Sequence, residues 1–378
     1  MNHHGIHLPN FKEEMTELYA NRVIRYFGMS LVYVFIPVYL INIGFSFQQA
    51  ILYIALKRAF LIASVPVALY LESKAGLKQT AMASTFLLSS FLIYLYTDFE
   101  ISLLSLASLC LLEGAGMALY WVPMNIGFGL ASKKGKQGEE TAMIISLPKI
   151  AGIFTPVIGA LVINMFGFGS LLMTSCLIIA CSALPLFATG EKIVRSPSVL
   201  KVGSFKARSM AGLFALEGIL SVSLIAWPLF VFLFAQNYEF IGITASAQVL
   251  SAVAATFAVG RLSDKTSRKK LFQAAGLLSA AVFVAAMAAR TPEHAVIVSF
   301  LTGIAEALVA VPVFAYVVKM TEKKEMAEVM AYREIMLSFA MIVALSLFFV
   351  LEPLTAFYAV FLITTLACAW LASYNPKE

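Results

Sequence analysis

The chain has 378 residues, of which 61% are hydrophobic and only 13% charged, against about 25% charged in an ordinary soluble protein. With so few charges it cannot build the water-facing surface of a soluble enzyme, and with so much apolar surface it cannot be disordered. The net charge of +6 and mean hydropathy of +0.88 instead predict a multi-pass membrane protein, since a spanning helix needs about 20 apolar residues.

Residues 1–19 are polar and show no apolar core of a signal peptide. Asn10 with Glu13 three residues on reads as a capping box, opening a helix that runs into a first span at about 20–43. That span carries Arg22, shallow enough to reach the headgroups, and the deeper Arg25. Span 2, at 48–71, holds the adjacent pair Lys57 and Arg58, which point about 100° apart. One of them can face a solute while the other meets a carboxylate such as Glu113. Span 3 (79–97) has no interior charge. Span 4 (101–130) has Glu113 at mid-depth, then Tyr120, Trp121 and Asn125 as candidate cavity contacts. Span 5 (141–166) contains Lys149, and span 6 (168–188) contains no charge.

The longest polar stretch, TGEKIVRSPSVLKVGSFKAR at 189–208, follows. It separates two halves of six spans each, residues 1–188 and 209–378. The second half runs through 209–235 with Glu217 and Trp227, then 242–263 and 270–289. After these come 294–319 with Glu306, 327–350 with Arg333 and Glu334, and 354–373. Pro37, Pro123, Pro156, Pro228 and Pro312 are expected to kink their helices, which membranes tolerate.

Loop charges set the orientation. The even-numbered connections carry eighteen basic residues, from Lys74 to Lys324, and the odd-numbered ones carry Arg290 alone. The positive-inside rule therefore predicts that both termini are cytoplasmic. The four cysteines all fall in apolar runs and are expected to be free thiols. His3, His4 and His7 sit in a polar terminus and are not expected to hold a metal. The basic residues are scattered over short loops, so no nucleic-acid partner is implied. No H-E-x-x-H, Walker loop or dinucleotide fingerprint occurs. The chain is expected to be no enzyme, to need no cofactor, and to run on ion or solute gradients.

A charge at bilayer depth costs on the order of 2.5–3.5 kcal/mol, so the intramembrane charges are the most informative residues. The first half has Arg22, Arg25, Lys57, Arg58 and Lys149 against Glu113. The second has Arg333 against Glu217, Glu306 and Glu334. A cavity built from them has a positive and a negative wall, and suits an anionic or zwitterionic solute or one that competes with protons. The halves echo each other. Aligning Pro123 with Pro312 puts Glu113 and Glu306 about one turn apart, and aligning Glu140 with Glu325 brings Lys149 and Arg333 within one position.

The loop between spans 8 and 9 reads GRLSDKTSRKK at 260–270. Gly260, Leu262, Asp264, Lys265, Arg268 and Lys269 match the loop pattern G-x-L-a-D-r-x-G-r-k, with Ser267 in place of the second glycine. The equivalent loop 2–3 keeps Leu71, Lys74, Gly76 and Lys78, but has Ser73 where the acid belongs, beside Glu72. Span 5 offers Gly152, Pro156 and Gly159 in KIAGIFTPVIGA, with Ala160 replacing a final glycine. Together with the span count and central linker, these resemble the major facilitator superfamily, the span 5 motif being similar to that of its antiporters.

The resemblance implies an all-α integral membrane fold of twelve helices in two pseudo-symmetric six-helix bundles, with spans 1, 4, 7 and 10 lining a central cavity. It also implies a secondary transporter, expected as a monomer in the cell membrane, that moves a small solute by alternating access. Proton-coupled export is the leading reading. Uptake of an anionic nutrient, a lipid flippase and a non-transporting membrane sensor or assembly protein are the alternatives. Asp264 is expected to cap a neighbouring helix and, with Lys265 and Arg268, to latch the cytoplasmic side. Glu306 is expected to carry the coupling proton, with Glu113 or Glu217 next, and the bland alternative is a permanent Glu306–Arg333 pair.

Overall fold

The computed structural model describes residues 11–97, 99–133, 135, 137–188, 204–235 and 237–375; the side chains of 11–15, 205, 234 and 263–265 lie outside that description. Among the described residues the regular structure is helical, with no strand. Helix α1 (Phe11–Val32) turns at Tyr33–Phe35 into α2 (Ile36–Asn42), with Pro37 in the first turn of α2. Asn10, expected as the cap of the first helix, lies outside the described residues.

Next come α3 (Phe47–Ala75), α4 (Leu77–Tyr96), α5 (Leu103–Ala131) and α6 (Gln137–Ala151). Helix α7 (Thr155–Cys181) is two helices merged across Gly167, whose φ of 82° breaks the run. After the linker, of which Ser204 onward is described, short α8 (Phe205–Ser209) leads into α9 (Ala211–Ala235). The chain ends through α10 (Tyr238–Lys265), α11 (Arg268–Met287), α12 (Pro292–Met320), α13 (Met326–Leu345), α14 (Leu347–Val350) and α15 (Pro353–Ser373).

Among the described residues ten helical stretches are long and apolar enough to cross a membrane. One of them, Gln137–Phe187, has 51 residues, about 76 Å of helix at 1.5 Å per residue. That is more than twice the roughly 30 Å of a hydrocarbon core, so it holds two spans that part at Gly167. Helix α4 is too rich in Thr and Ser to count among the ten, yet it packs against α3, α5 and α7. Dividing the one and adding the other gives the twelve spans read from the sequence. Span 5 differs in detail, starting at Gln137 and breaking at Gly152–Phe154, just before Pro156.

Short polar side chains start four of the long helices. Ser46 accepts from the Gln49 amide, Ser102 from Ser105, Asn237 from Phe240 and Thr291 from His294. Each satisfies a backbone donor that the first turn leaves open. All four lie at the end of the bundle away from the basic loops.

The same helix pairs come close in each half. An added Cβ on Gly114 would strike the Lys57 carbonyl, and one on Gly303 the Gln248 carbonyl, so α5 lies on α3 as α12 lies on α10. Gly159 faces the Leu31 carbonyl, and Gly218 that of Leu337, joining α7 to α1 and α9 to α13. Small residues that let helix backbones approach are the usual glue of membrane bundles. Large apolar side chains such as Phe86, Leu104, Leu177, Leu278 and Val350 stay exposed on the outside, as a surface solvated by lipid requires.

The halves touch at both ends. At the basic end Gly260 abuts Ala142, and Gly129 abuts Met326. At the other end Asn164 donates to Glu239 at 2.8 Å, Asn42 donates to the Tyr238 hydroxyl, and Gly242 lies on the Pro156 carbonyl. The ionic residues sit between these two seals.

Candidate functional site

The close approach at Gly114 brings Lys57 against Glu113, with Nζ–Oε1 at 2.9 Å. The hydroxyls of Tyr33 and Tyr53 also donate to Glu113, one to each carboxylate oxygen. Lys57 lies 4.9 Å from the Tyr33 ring centroid and 4.6 Å from that of Tyr53. Glu113 is 0% exposed and Lys57 6%. A buried carboxylate with three donors and a cation with two aromatic faces is fully satisfied. Of the adjacent pair on α3, Lys57 therefore takes the carboxylate.

Arg58 has no carboxylate of its own. Its Nε is buried without a hydrogen-bond partner, as is Nη1 of Arg22. Arg22 does not reach out to the headgroups as expected; it lies over the Trp121 ring at 4.9 Å. Arg25 is 5% exposed, donates to Ser84 and Thr85 at 3.1 and 3.3 Å, and stacks on Tyr120 at 3.8 Å. Among the described residues none of these three arginines forms an ion pair. They surround one region. Tyr120 is within electrostatic reach of Arg22 and Arg25, Tyr33 of Arg25 and Arg58, and Glu334 of Arg58 and Arg22.

The second half supplies the acids. Arg333 bonds Glu217 and Glu334, each at 2.8 Å, with its guanidinium over Phe314. Asn125 of α5 donates to Glu334 at 3.0 Å, linking the halves. A second link is ionic: Lys149 of α6 meets Glu306 of α12 at 2.5 Å. The alternative of a permanent Glu306–Arg333 pair is not found. Arg333 is drawn to Glu217 by the tight α9–α13 contact at Gly218, which leaves Glu306 to face the other half. Glu306 is 26% exposed, unlike the sealed Glu113, so it is the acid with access to water.

Trp227 does not join this group. It is buried among Phe230 and Phe361, with its indole N–H on Ser299 at 2.7 Å, which makes it a packing residue. In the basic-end motif, Gly260 is a contact point between halves, and Arg268 reaches Tyr316 and Met320 of its own half. The side chains of Asp264 and Lys265 lie outside the described residues, as do His3, His4 and His7. Cys110, Cys176 and Cys368 are buried free thiols, whereas Cys181 is exposed.

Sequence reading missed Tyr33, Tyr53, Ser84 and Thr85. Tyr53 stands four residues before Lys57 on the same helix face, and that spacing was an available signal. It also passed over Glu72 as a buried group. Its carboxylate is 0% exposed, and neither oxygen has a partner.

Comparisons with known proteins agree with this architecture. Residues 209–378 match the model of the Major Facilitator Superfamily. The human organic anion transporter MFSD10 (TETRAN) superposes with a TM-score of 0.74 at 12% identity, over 97% of this chain and 99% of that one. The E. coli fucose:proton symporter FucP superposes at 0.68 with 14% identity, covering 95% and 96%. FucP in its outward conformation, described as a major facilitator transporter, gives 0.69 at 14% identity over 94% and 96%. No curated protein matches the sequence. The fold is thus that of the major facilitator superfamily, and the resemblance read from the sequence stands. The chain's apolar helices are those of a multi-pass membrane protein, in a fold that it shares with solute transporters.

Proposed function

We propose that the chain is a secondary transporter of a small organic anion, working as a monomer in the cell membrane with both termini in the cytoplasm. The observation that carries this reading is the group Arg22, Arg25 and Arg58. A buried cation without a partner is costly, and here two guanidinium nitrogens are orphaned around one region. A carboxylate or similar anion bound there satisfies them. Tyr120 and Trp121 give the same region aromatic walls. That a fold neighbour is named an organic anion transporter supports the same substrate class.

The bundles 1–188 and 209–378 rock about the linker 189–208. Opening either end requires breaking contacts that bridge the halves, Asn125–Glu334 among them. The anion competes with Glu334 for Arg58 and Arg22, which ties occupancy to that contact. Glu306 is the proton carrier of this reading. Its partner Lys149 lies on the other half and its carboxylate is partly wet, so parting of the halves frees it. The antiporter-like Gly152, Pro156 and Gly159 favour export. Gly152 and Gly159 pack span 5 on Tyr26, Ser30 and Leu31 of span 1, and the Pro156 carbonyl meets Gly242 of the other half.

The test is counterflow in proteoliposomes with a panel of organic anions, zwitterions and neutral solutes, with internal pH recorded. Anions are expected to exchange, and Arg25→Gln and Arg58→Gln to lose at least about tenfold of that rate, the size of one charge-assisted bond. Exchange of neutral solutes alone overturns the reading. Glu306→Gln is expected to keep counterflow and lose proton-driven accumulation. If it still accumulates substrate uphill at the wild-type rate, Glu306 is not the carrier.

A further inference from the structure

The ion pairs at the centre of the bundle leave a definite surplus of positive charge. Lys57 is matched by Glu113, and Lys149 by Glu306. Arg333 takes both Glu217 and Glu334, so one carboxylate there is in excess. Against it stand Arg22, Arg25 and Arg58, none of them in an ion pair among the described residues. Glu334 lies within electrostatic reach of Arg22 and Arg58 and offsets one of the three. Two positive charges remain. Moving a proton within either lysine pair leaves that number unchanged. Arg58 is also in reach of Glu113, but both oxygens of that carboxylate are taken by Lys57 and the phenols of Tyr33 and Tyr53.

The surplus falls at two places. Arg25 is held, since it donates to Ser84 and Thr85 and stacks on Tyr120. Arg22 and Arg58 are half-buried. Each has a buried guanidinium nitrogen without a hydrogen-bond partner, Nη1 in Arg22 and Nε in Arg58. They stand on different helices, α1 and α3, with different aromatic neighbours. Arg22 covers Trp121, whereas Arg58 lies near Tyr33 and Tyr53. Arg25 links them, sharing Tyr120 with Arg22 and Tyr33 with Arg58. A guanidinium grips a planar carboxylate with two parallel bonds. One such group on either arginine leaves the other orphaned, and a buried charge without a partner is costly.

We propose that the solute is a small dicarboxylate, with one carboxylate on Arg22 and the other on Arg58. This rests on the anion reading given above and narrows it. Such a solute brings two negative charges to the two positive ones left over, so the bundle closes around a neutral centre. A monocarboxylate leaves one arginine unpaired when the site closes, and its binding bears that penalty.

Binding to the purified full chain in detergent, measured by calorimetry, tests this. The probes are the straight-chain dicarboxylates from malonate to suberate, each beside its monomethyl ester, with glycerol phosphate and the neutral diamides for comparison. The best-fitting dicarboxylate is expected to bind at least about tenfold more tightly than its own monoester, the size of one charge-assisted bond. In Arg22→Gln and in Arg58→Gln that ratio is expected to fall towards one, because a single guanidinium cannot tell the second carboxylate from its ester. A variant that merely loosens the fold weakens both ligands alike and keeps the ratio. A wild-type ratio near one, a ratio kept in both variants, or binding of glycerol phosphate in place of every dicarboxylate overturns the dicarboxylate and leaves the anion reading standing. Binding of the diamides alone, or of none of the anions, overturns both. If either variant fails to fold, the wild-type ratio alone decides.

Discussion

Glu113 holds a charge at the centre of the bundle with no exposure to water. Three donors surround it, so its role is to let α3 and α5 carry polar groups through lipid and to fix the tyrosines beside Arg58. Glu113→Leu is expected to destabilise the protein by about 3–5 kcal/mol, because Lys57 is left buried and unpaired. Adding Lys57→Met should restore most of that loss, since an apolar pair of similar volume needs no partner. Thermal unfolding in detergent of the two single variants and the double variant measures this. A double variant as unstable as the sum of the singles would show that the pair is not the source. Glu306 behaves differently because its partner lies on the other half and its carboxylate is partly wet. Two acids at the same depth thus divide into a structural and a mobile one by partner and exposure, neither of which residue type reveals.

The contact between α6 and α10 at the basic end depends on the missing side chain of Gly260, which lets the Ala142 methyl and the Gly138 carbonyl approach. Gly260→Val fills that space, and the cheapest relief is to part the two helices at this end. The variant should fold, because the clash lies between halves and not within either core. It should also react with a maleimide at Met326→Cys several times faster than the parent. Unchanged labelling would mean that α6 shifts within its own half instead. The glycine was legible in the sequence as part of a loop pattern. Its steric role was not, because the neighbour across the interface lies more than a hundred residues away. Helix starts such as Ser46, Ser102, Asn237 and Thr291 are local, and they read directly as turn chemistry ahead of apolar runs.

Over the whole molecule, the basic loops fall at one end of the bundle and the starts of α3, α5, α10 and α12, capped by Ser46, Ser102, Asn237 and Thr291, at the other. Twelve spans return the chain to the side on which it began. The expected topology has cysteines placed at residues 2 and 377 labelling only after the membrane is permeabilised, while one placed near Arg290 labels from outside. Labelling of either terminus in intact cells would overturn it. The central charges carry the other consequence of scale. Each half alone would be out of balance, with cations in the first and acids in the second. The links Asn125–Glu334 and Lys149–Glu306 bring the opposite charges together without cancelling the arginines.

What the sequence by itself determined was the membrane, the number of spans and the set of charges inside them. These depend on composition and on apolar runs of about 20 residues, which are local properties of the chain. It also led to the expectation of two halves, through the central polar stretch and the echo of Glu113 with Glu306. Partner choice was decided only by the tertiary structure. Lys57 and Arg58 are neighbours in sequence, yet one is neutralised by Glu113 and two tyrosines while the other has no partner acid. Arg333 takes Glu217 and Glu334, and Glu306 crosses to Lys149. The reason is geometric: a salt bridge needs its atoms within about 3 Å, and which helix faces come that close is set by small residues such as Gly114 and Gly218, and not by the charges themselves.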